Sequence, residues 1–273
     1  MSNSLGRLFV ITSFGESHGE CVGVIVDGCP AGLPLSVDDI QPEIERRKPR
    51  NRYETSRIEE DRVEIFSGVF NGHTTGAPIC MIVRNQDVDS TAYEKIKASF
   101  RPGHADLTSY VKYGGFGDYR GGGRFSGRIT AGFVMAGALA KKLLHIRDIE
   151  IFAHTVEIGG IQAEAKDIDS IRETASRDSL RCADKSASVK MLKLLDTVRK
   201  EGDSVGGIVE GIGLNIPAGL GEPIFDTLDG ALAKAMLAIP AVKGVEFGAG
   251  FGAAKLKGSQ NNDPIIIKEH RID

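Results

Sequence analysis

The chain has 273 residues, 41% of them hydrophobic and 26% charged, which is the composition of a globular protein with its own core. Its 34 basic and 37 acidic side chains give a net charge of -3, which argues against bulk nucleic-acid binding through a basic surface. No apolar run approaches about 18 residues and no secretion signal is recognisable, so we expect neither a membrane segment nor export.

The first strands, at 8–13 and 22–26, flank a short loop with the sequence GESHG at 15–19. A histidine in such a loop can exchange protons near neutral pH, so His18 is either a proton-transfer group or an ordinary turn histidine. The four cysteines, in contrast, form no CxxC pair and no metal-ligand spacing, which predicts free, buried thiols in a reducing cytoplasm.

A helix is predicted over 37–48, because Ser36 and Asp39 have the spacing of a capping box and Pro49 disfavours helix at Lys48. Arginines then crowd residues 46–57 among several glutamates. Such a run is either a solvated face or a clamp for phosphate and carboxylate groups, which guanidinium groups bind well.

Two strands, at 62–70 and 77–83, are predicted around an Asn71-Gly72 hairpin turn, and a short helix over 90–100 follows. The segment 101–144 is the most distinctive of the chain. Its first half is polar and loop-like, with eight glycines and the side chains of Arg101, His104, Arg120, Arg124 and Arg128.

The second half of this segment, from Arg128 to Leu144, predicts a buried helix. A glycine-rich loop that opens into a helix N-terminus is either a flexible surface loop or an anion site, and the clustered arginines favour the anion site. The run lacks the Gly-Lys-Ser/Thr ending of a P-loop and the frame of a dinucleotide fingerprint.

Beyond residue 144 we predict strands at 149–158 and 205–214, and a third that opens at 240–246 and runs on through 247–253. Helices are predicted over 167–176, 183–200 and 228–239, with Gly202 stopping the second. Paired strands interspersed with helices predict an α+β fold with antiparallel sheets, and no linker divides residues 1–273, so we predict one domain.

Three runs together resemble the chorismate synthase family: GESHG at 15–19 followed by VIVDG at 24–28, RPGHAD at 101–106, and YRGGGR with SGR at 119–128. Later blocks at 201–204, 219–223 and 241–246 are similar to that family too. The resemblance covers essentially the whole chain. It implies helices sandwiched between antiparallel sheets, and usually a homotetramer.

The resemblance also implies an activity. The family eliminates phosphate from 5-enolpyruvylshikimate 3-phosphate to give chorismate, the last step of the shikimate pathway that leads to aromatic amino acids. It requires reduced FMN without net redox change, and NADPH is a candidate reductant of the flavin. The substrate is a small molecule, and neither nucleic acid nor a membrane is implied as a partner.

Site residues follow from the same resemblance. His18 would protonate the reduced flavin and His104 would assist the leaving phosphate. Substrate anions would be held by Arg47, Arg52, Arg101 and Arg128. The flavin site would be lined by Arg124, Phe125, Ser126, Pro240 and Ala241. No metal ligand is implied.

The sequence departs from the family pattern in two places. Familiar members have Arg-Ser-Ser-Ala-Arg-Glu-Thr where this chain has Arg124 to Thr130 as RFSGRIT, so Phe125 can contact a ligand only by stacking or through its backbone. The family's chain also continues beyond the position of Asp273, through a Lys-Pro-Thr loop and an Arg-His-Asp-Pro block. We therefore expect these 273 residues alone to bind FMN poorly and to turn over little.

Two rival functions remain at this stage. A Gly/Arg-rich RNA-binding module is one, although such runs are usually repetitive and disordered. Another phosphate-handling enzyme, such as a nucleotide-dependent transferase, is the second, and it would require Mg²⁺ ligands that we do not find.

Overall fold

The computed structural model describes residues 3–49, 51–54, 57, 59–97, 99–264, 267–268 and 271–272. The chain packs as two compact units, Met1–Pro217 and Ala218–Asp273. The single domain expected from the sequence stays a prediction. Of the helices in the described residues, none is long and apolar enough to cross a bilayer.

The helices are α1 (Val37–Arg47), α2 (Thr91–Ile96), α3 (Asp106–Tyr113), α4 (Thr130–His145), α5 (Ile168–Ala175), α6 (Lys185–Glu201) and, in the second unit, α7 (Leu228–Met236). The strands are β1 (Ser4–Leu5), β2 (Val10–Gly15), β3 (Cys21–Asp27), β4 (Val63–Ile65), β5 (Val69–Phe70), β6 (His73–Thr74), β7 (Ile79–Arg84), β8 (Glu150–Ile158), β9 (Ile161–Gln162) and β10 (Gly207–Leu214), with β11 (Ile267–Lys268) and β12 (Arg271–Ile272) in the second unit.

A five-stranded antiparallel sheet in the order β1-β2-β3-β7-β4 forms the base of the first unit. Val22, Val24 and Val26 alternate along β3 and are fully buried on one face, as a period of two requires. That face packs against α1 and α4, which supply Ile40, Ile44, Met135 and Leu139 to the same core. The core therefore lies between this sheet and the two helices.

The second sheet of this unit has the order β10-β8-β9 and is antiparallel as well. Helix α4 lies near β8, and α5 and α6 pack on this sheet through two small clusters around Ile171 and Met191. Helices and antiparallel sheets in these layers confirm the predicted α+β fold.

Local sequence signals explain where the helices begin and end. Ser36 and Asp39 form the predicted capping box of α1, with the Ser36 backbone N–H donating to the Asp39 carboxylate over 2.8 Å. Gly202 ends α6 in the left-handed conformation at φ 70°. Asn71 and Gly72 have φ of 48° and 73°, which gives the predicted tight turn, here between β5 and β6.

Three element predictions are wrong. The loop-like first half of 101–144 contains α3, whose eight residues sit among glycines that hide its periodicity. The strand predicted over 62–70 is two short strands, because Gly68 at φ 80° interrupts it. No strand forms over the predicted 240–253, where Gly248 and Gly250 have φ of 56° and 51° and a 3₁₀ turn begins at Gly250.

The contact between α4 and β3 gives a stability prediction. A Cβ on Gly132 would lie 2.8 Å from the carbonyl oxygen of Gly23, so Gly132→Ala is expected to lower the free energy of unfolding by about 1–3 kcal/mol. Gly137 in the same helix has nothing within 4 Å of such a Cβ, so Gly137→Ala should raise it by about 0.5–1 kcal/mol. Urea unfolding of both variants measures the difference, and equal effects would contradict the close packing.

Candidate functional site

His18 lies in the turn that joins β2 to β3, at one end of the five-stranded sheet. The turn is held by the Asn85 side chain, whose Nδ2 donates to the carbonyls of Glu16 over 3.0 Å and Gly19 over 2.8 Å. The imidazole of His18 contacts the first turn of α2, with Nδ1 2.8 Å from Ser90 Oγ. The Tyr93 ring packs edge-on against it, with 5.2 Å between ring centroids.

The glycine-rich loop covers the other side of this imidazole. Gly121 has φ 60°, and a Cβ there would lie 2.2 Å from Cδ2 and 2.5 Å from Nε2 of His18. The backbone can approach the ring this closely only because residue 121 is glycine. His18 Nε2 therefore faces the loop, and Nδ1 faces α2.

Ser17, the residue before His18, ties the loop to the turn. Its backbone N–H donates to Gly123 O over 3.3 Å, and its Oγ lies 3.1 Å from Ser126 Oγ. Arg57 donates to the same Ser17 Oγ over 2.8 Å and forms an ion pair with Glu59 at 2.6 Å. The loop, the turn and the segment around residue 57 thus share one polar network.

Arg124 also holds the glycine-rich loop in place, through hydrogen bonds to β2. Its guanidinium donates to the carbonyls of Gly15 over 2.8 Å and Ser13 over 3.1 Å, and to Asn3 Oδ1 over 3.2 Å. Phe125, next in the chain, is about half exposed and lies 6.4 Å from the Tyr113 ring. Arg124 is thus taken up by protein groups, whereas Phe125 faces outward.

Arg128 forms a buried ion pair with Asp61 at the start of α4. The two side chains are 3% and 2% exposed, and Arg128 also donates to Asn85 Oδ1 over 2.8 Å. Arg47 shares the same carboxylate at 3.6 Å and donates to Gly127 O over 3.1 Å. One carboxylate between two guanidinium groups leaves this cluster positively charged.

Arg101 connects the region of His104 with that of His18. It makes a two-pronged ion pair with Asp106, through Nε at 2.8 Å and Nη2 at 2.9 Å, and lies over the Tyr93 ring at 5.6 Å. His104 is exposed, and its backbone N–H donates to Arg101 O over 3.4 Å. The Tyr93 ring thus lies between the His18 imidazole and the Arg101 guanidinium, and His104 follows Arg101 by three residues.

A cavity of about 210 Å³ opens beside Arg101, between α3 and the glycine-rich loop. Aromatic rings line much of it, with Lys97 and Arg101 as cations and Asp106 and Asp118 as anions. The aromatic members are Phe100, Tyr110, Tyr119 and Phe125. Its wall at Gly122 carries no side chain, and a Cβ there would lie 3.6 Å from Arg101 Nη2. Planar and anionic groups fit such a lining.

Charges around the site shift several ionisation equilibria. Burial lowers the pKa of His18, and Arg57 lowers it further, while Asp118 opposes both. The hydrogen bond from Arg120 holds the pKa of Asp118 below its usual range, and that from Arg101 does the same for Asp106. His18 is accordingly neutral at pH 7 before a ligand binds, because a lowered pKa favours the uncharged ring.

One predicted site residue of the first unit, Arg52, does not join this arrangement. Arg52 is exposed and pairs with Asp196. Pro240 and Ala241 are exposed residues of the second unit, where Ala241 has φ 69°. The basic run 46–57 likewise does not form one clamp, since Arg46 pairs with Glu43 at 3.0 Å while Arg47 and Arg57 turn toward the site. Arg50 lies outside the described residues.

The sequence did not reveal the residues that hold the predicted ones. Ser90, Tyr93, Asp61 and Asn85 are polar or aromatic residues without a motif of their own. Asp61 does have an unusual backbone angle, a φ of 49°, but the sequence alone does not show it. Within the described residues, no group of three or more His, Cys, Asp and Glu side chains could hold a metal.

Comparison with known proteins supplies independent evidence. The family model described as chorismate synthase matches residues 9–272. The chain is 59% identical over 273 residues to a chorismate synthase of Dehalococcoides mccartyi, covering all of this chain and 75% of that protein. It is 54% identical over 268 residues to one from Korarchaeum cryptofilum, covering 98% and 74%. A crystal structure of a chorismate synthase superposes with a TM-score of 0.80 at 34% identity, covering 97% of this chain and 77% of that one.

Proposed function

The chain belongs to the chorismate synthase family, and we propose that it eliminates phosphate from 5-enolpyruvylshikimate 3-phosphate, using reduced FMN, to give chorismate. The observation that carries the proposal is the cavity lined by Arg101, α3 and the glycine-rich loop, with His18 held between that loop and α2, in a chain similar to the family along its whole length. In biosynthetic terms this is a lyase of aromatic amino-acid formation.

Arginines meet the anionic groups of the substrate, which carries two carboxylates and a phosphate. Arg101 lines the cavity, and the half-buried Arg47 shares the Asp61 carboxylate with Arg128, so these three side chains together carry a net positive charge. Each charge-assisted hydrogen bond to such a ligand contributes roughly 1.5–3 kcal/mol. Arg128 supports the site through Asp61 and Asn85, and Arg52 serves only if it leaves Asp196.

His18 moves a proton at Nε2, the ring nitrogen that faces the glycine-rich loop. An anion bound next to the ring raises the pKa of His18, because opposite charge favours the protonated form. The imidazole thus takes up a proton as the ligand binds and can give it back at Nε2. His104, exposed and one turn from Arg101, assists the departing phosphate.

The cavity lining is compatible with the flavin. Reduced FMN, when bound, supplies electron density to the substrate and regains it, so that the elimination involves no net redox change. Phe125 would stack on a planar group, Ser126 would contact it from the loop, and Arg124 would keep both residues in place. Pro240 and Ala241 are assigned to flavin binding on the family resemblance alone.

The family's setting is part of the proposal. We propose a homotetramer in the cytoplasm, with NADPH as the source of electrons for the flavin. All four cysteines carry free thiols, and Cys29 and Cys182 are buried, which supports a reducing compartment.

An anaerobic assay of the purified full-length protein tests this function. We expect chorismate and phosphate to form in equal amounts from 5-enolpyruvylshikimate 3-phosphate and reduced FMN, and neither to form with oxidised FMN. His18→Ala and His104→Ala should each lower kcat by roughly 100-fold or more, the scale of a proton-transfer group. Absence of product, while the Dehalococcoides mccartyi relative forms it in parallel, would overturn the proposal.

A further inference from the structure

Helix α2 holds the imidazole of His18 with two side chains from a single turn. Ser90, just before the helix, has its Oγ 2.8 Å from Nδ1, and the Tyr93 ring stands at 76° to the imidazole plane. Residues three apart lie on the same side of a helix, so both reach the same ring. The ring can neither rotate toward Tyr93 nor approach Gly121 more closely.

The neighbours of the Ser90 hydroxyl determine which partner donates the hydrogen bond. Ser90 Oγ also donates to the carbonyl of Val88 over 3.4 Å. A serine hydroxyl has one proton, so a hydroxyl that gives it to Val88 can only accept from His18. Both contacts are satisfied together when Nδ1 of His18 carries the proton, and in the neutral ring Nε2 then bears the lone pair.

We propose that Ser90 fixes His18 in the tautomer with its proton on Nδ1, and is therefore a positioning residue for proton transfer at Nε2. The tautomer is inferred from these two contacts, whereas its use in catalysis rests on the proposed function. When the protonated ring releases its Nε2 proton to a basic atom of the ligand, the N–H bonding pair stays on Nε2. The product is the neutral Nδ1–H ring, which the Ser90 hydroxyl already accommodates without rearrangement.

Charged groups around His18 act on this ring through space. They are Arg57, Arg120, Asp118, Asp87 and Asp89. These charges act on the whole imidazole ring. The hydrogen bond to Ser90, in contrast, involves Nδ1 and not Nε2. Removing that hydroxyl therefore frees the tautomer while leaving the surrounding charges in place.

Nitrogen NMR of protein labelled with ¹⁵N-histidine tests the tautomer without any turnover. The His18 signals are identified by their loss in His18→Gln. We expect Nδ1 to be protonated and Nε2 unprotonated above the ring's pKa in the wild type and in Ser90→Thr. In Ser90→Ala the proton should shift measurably toward Nε2. A wild-type ring protonated on Nε2, or an unchanged pattern in Ser90→Ala, would overturn the proposal.

Steady-state kinetics test the positioning role. We expect Ser90→Ala to lower kcat roughly 10- to 100-fold, the usual effect when the partner that orients a functional histidine is lost. KM should change far less, and Ser90→Thr should restore most of kcat. Ser36→Ala is the matched control, because it removes an exposed serine hydroxyl at the start of α1, away from His18. An altered tautomer with unchanged kcat would refute the positioning role, whereas a wild type without turnover would refute only the proposed function.

Discussion

Gly121→Ala is expected to lower kcat/KM of the proposed elimination by roughly 100-fold or more, because it pushes the His18 ring out of place. The new Cβ would lie 2.2 Å from Cδ2 and 2.5 Å from Nε2, and 2.8 Å from Ser17 Oγ. None of these atoms can move away freely, since α2 holds the ring and Arg57 and Ser126 hold Ser17. Chorismate formation under anaerobic conditions measures the loss.

Gly114→Ala separates the collision from backbone strain. Gly114 has the same φ of 60°, but a Cβ there has its nearest neighbour, a Phe116 ring atom, at 3.7 Å. Both substitutions cost about 1–2 kcal/mol of backbone strain in the left-handed region, and Gly121→Ala adds the collision, so urea unfolding should show the larger loss of stability in Gly121→Ala. Activity lost equally in both variants would contradict a direct effect on His18.

Asp61→Asn is expected to lower the free energy of unfolding by about 3–5 kcal/mol, the scale for breaking a buried ion pair from one side. Its carboxylate is 2% exposed and neutralises Arg128, itself 3% exposed, together with part of the charge of Arg47. Asparagine keeps the size of the side chain and tolerates the φ of 49°, so only the charge changes. Urea or thermal unfolding at pH 7 measures the effect.

Glu64→Gln is the matched control for that substitution. Glu64 also pairs with an arginine, Arg84, at 2.7 Å, but the two side chains are 37% and 57% exposed. Exposed pairs contribute about 0–1 kcal/mol, so this variant should remain close to the wild type. Similar losses of stability in the two variants would contradict the idea that the buried ion pair of Asp61 contributes more than an exposed one.

Much of the fold was predictable because its signals are local. The capping box at Ser36, the stop at Gly202 and the apolar run that becomes α4 each act within a few residues. Helix α3 was missed because it has only eight residues, lies among glycines and buries none of its side chains. The strand expected over 240–253 failed because Gly248 and Gly250 adopt left-handed backbone angles.

The candidate site was predictable only in part, for a similar reason. His18, Arg101 and the glycine-rich loop stand in recognisable motifs. Their supports are far away in sequence: Ser90 is 72 residues from His18, and Asp61 is 67 residues from Arg128. Such pairings depend on how β2, β3 and β7 assemble, and single residues without a motif give no hint of them.

The hydrogen bonds of the Arg124 guanidinium also affect how a ligand binds. By donating to Gly15 and Ser13 it fastens the glycine-rich loop to a central strand of the sheet, and Ser17 adds another bond to Gly123. A segment so rich in glycine would otherwise lose much conformational entropy when it closes on a ligand. Here that entropy is given up when the protein folds, so an incoming ligand meets a wall that is already shaped.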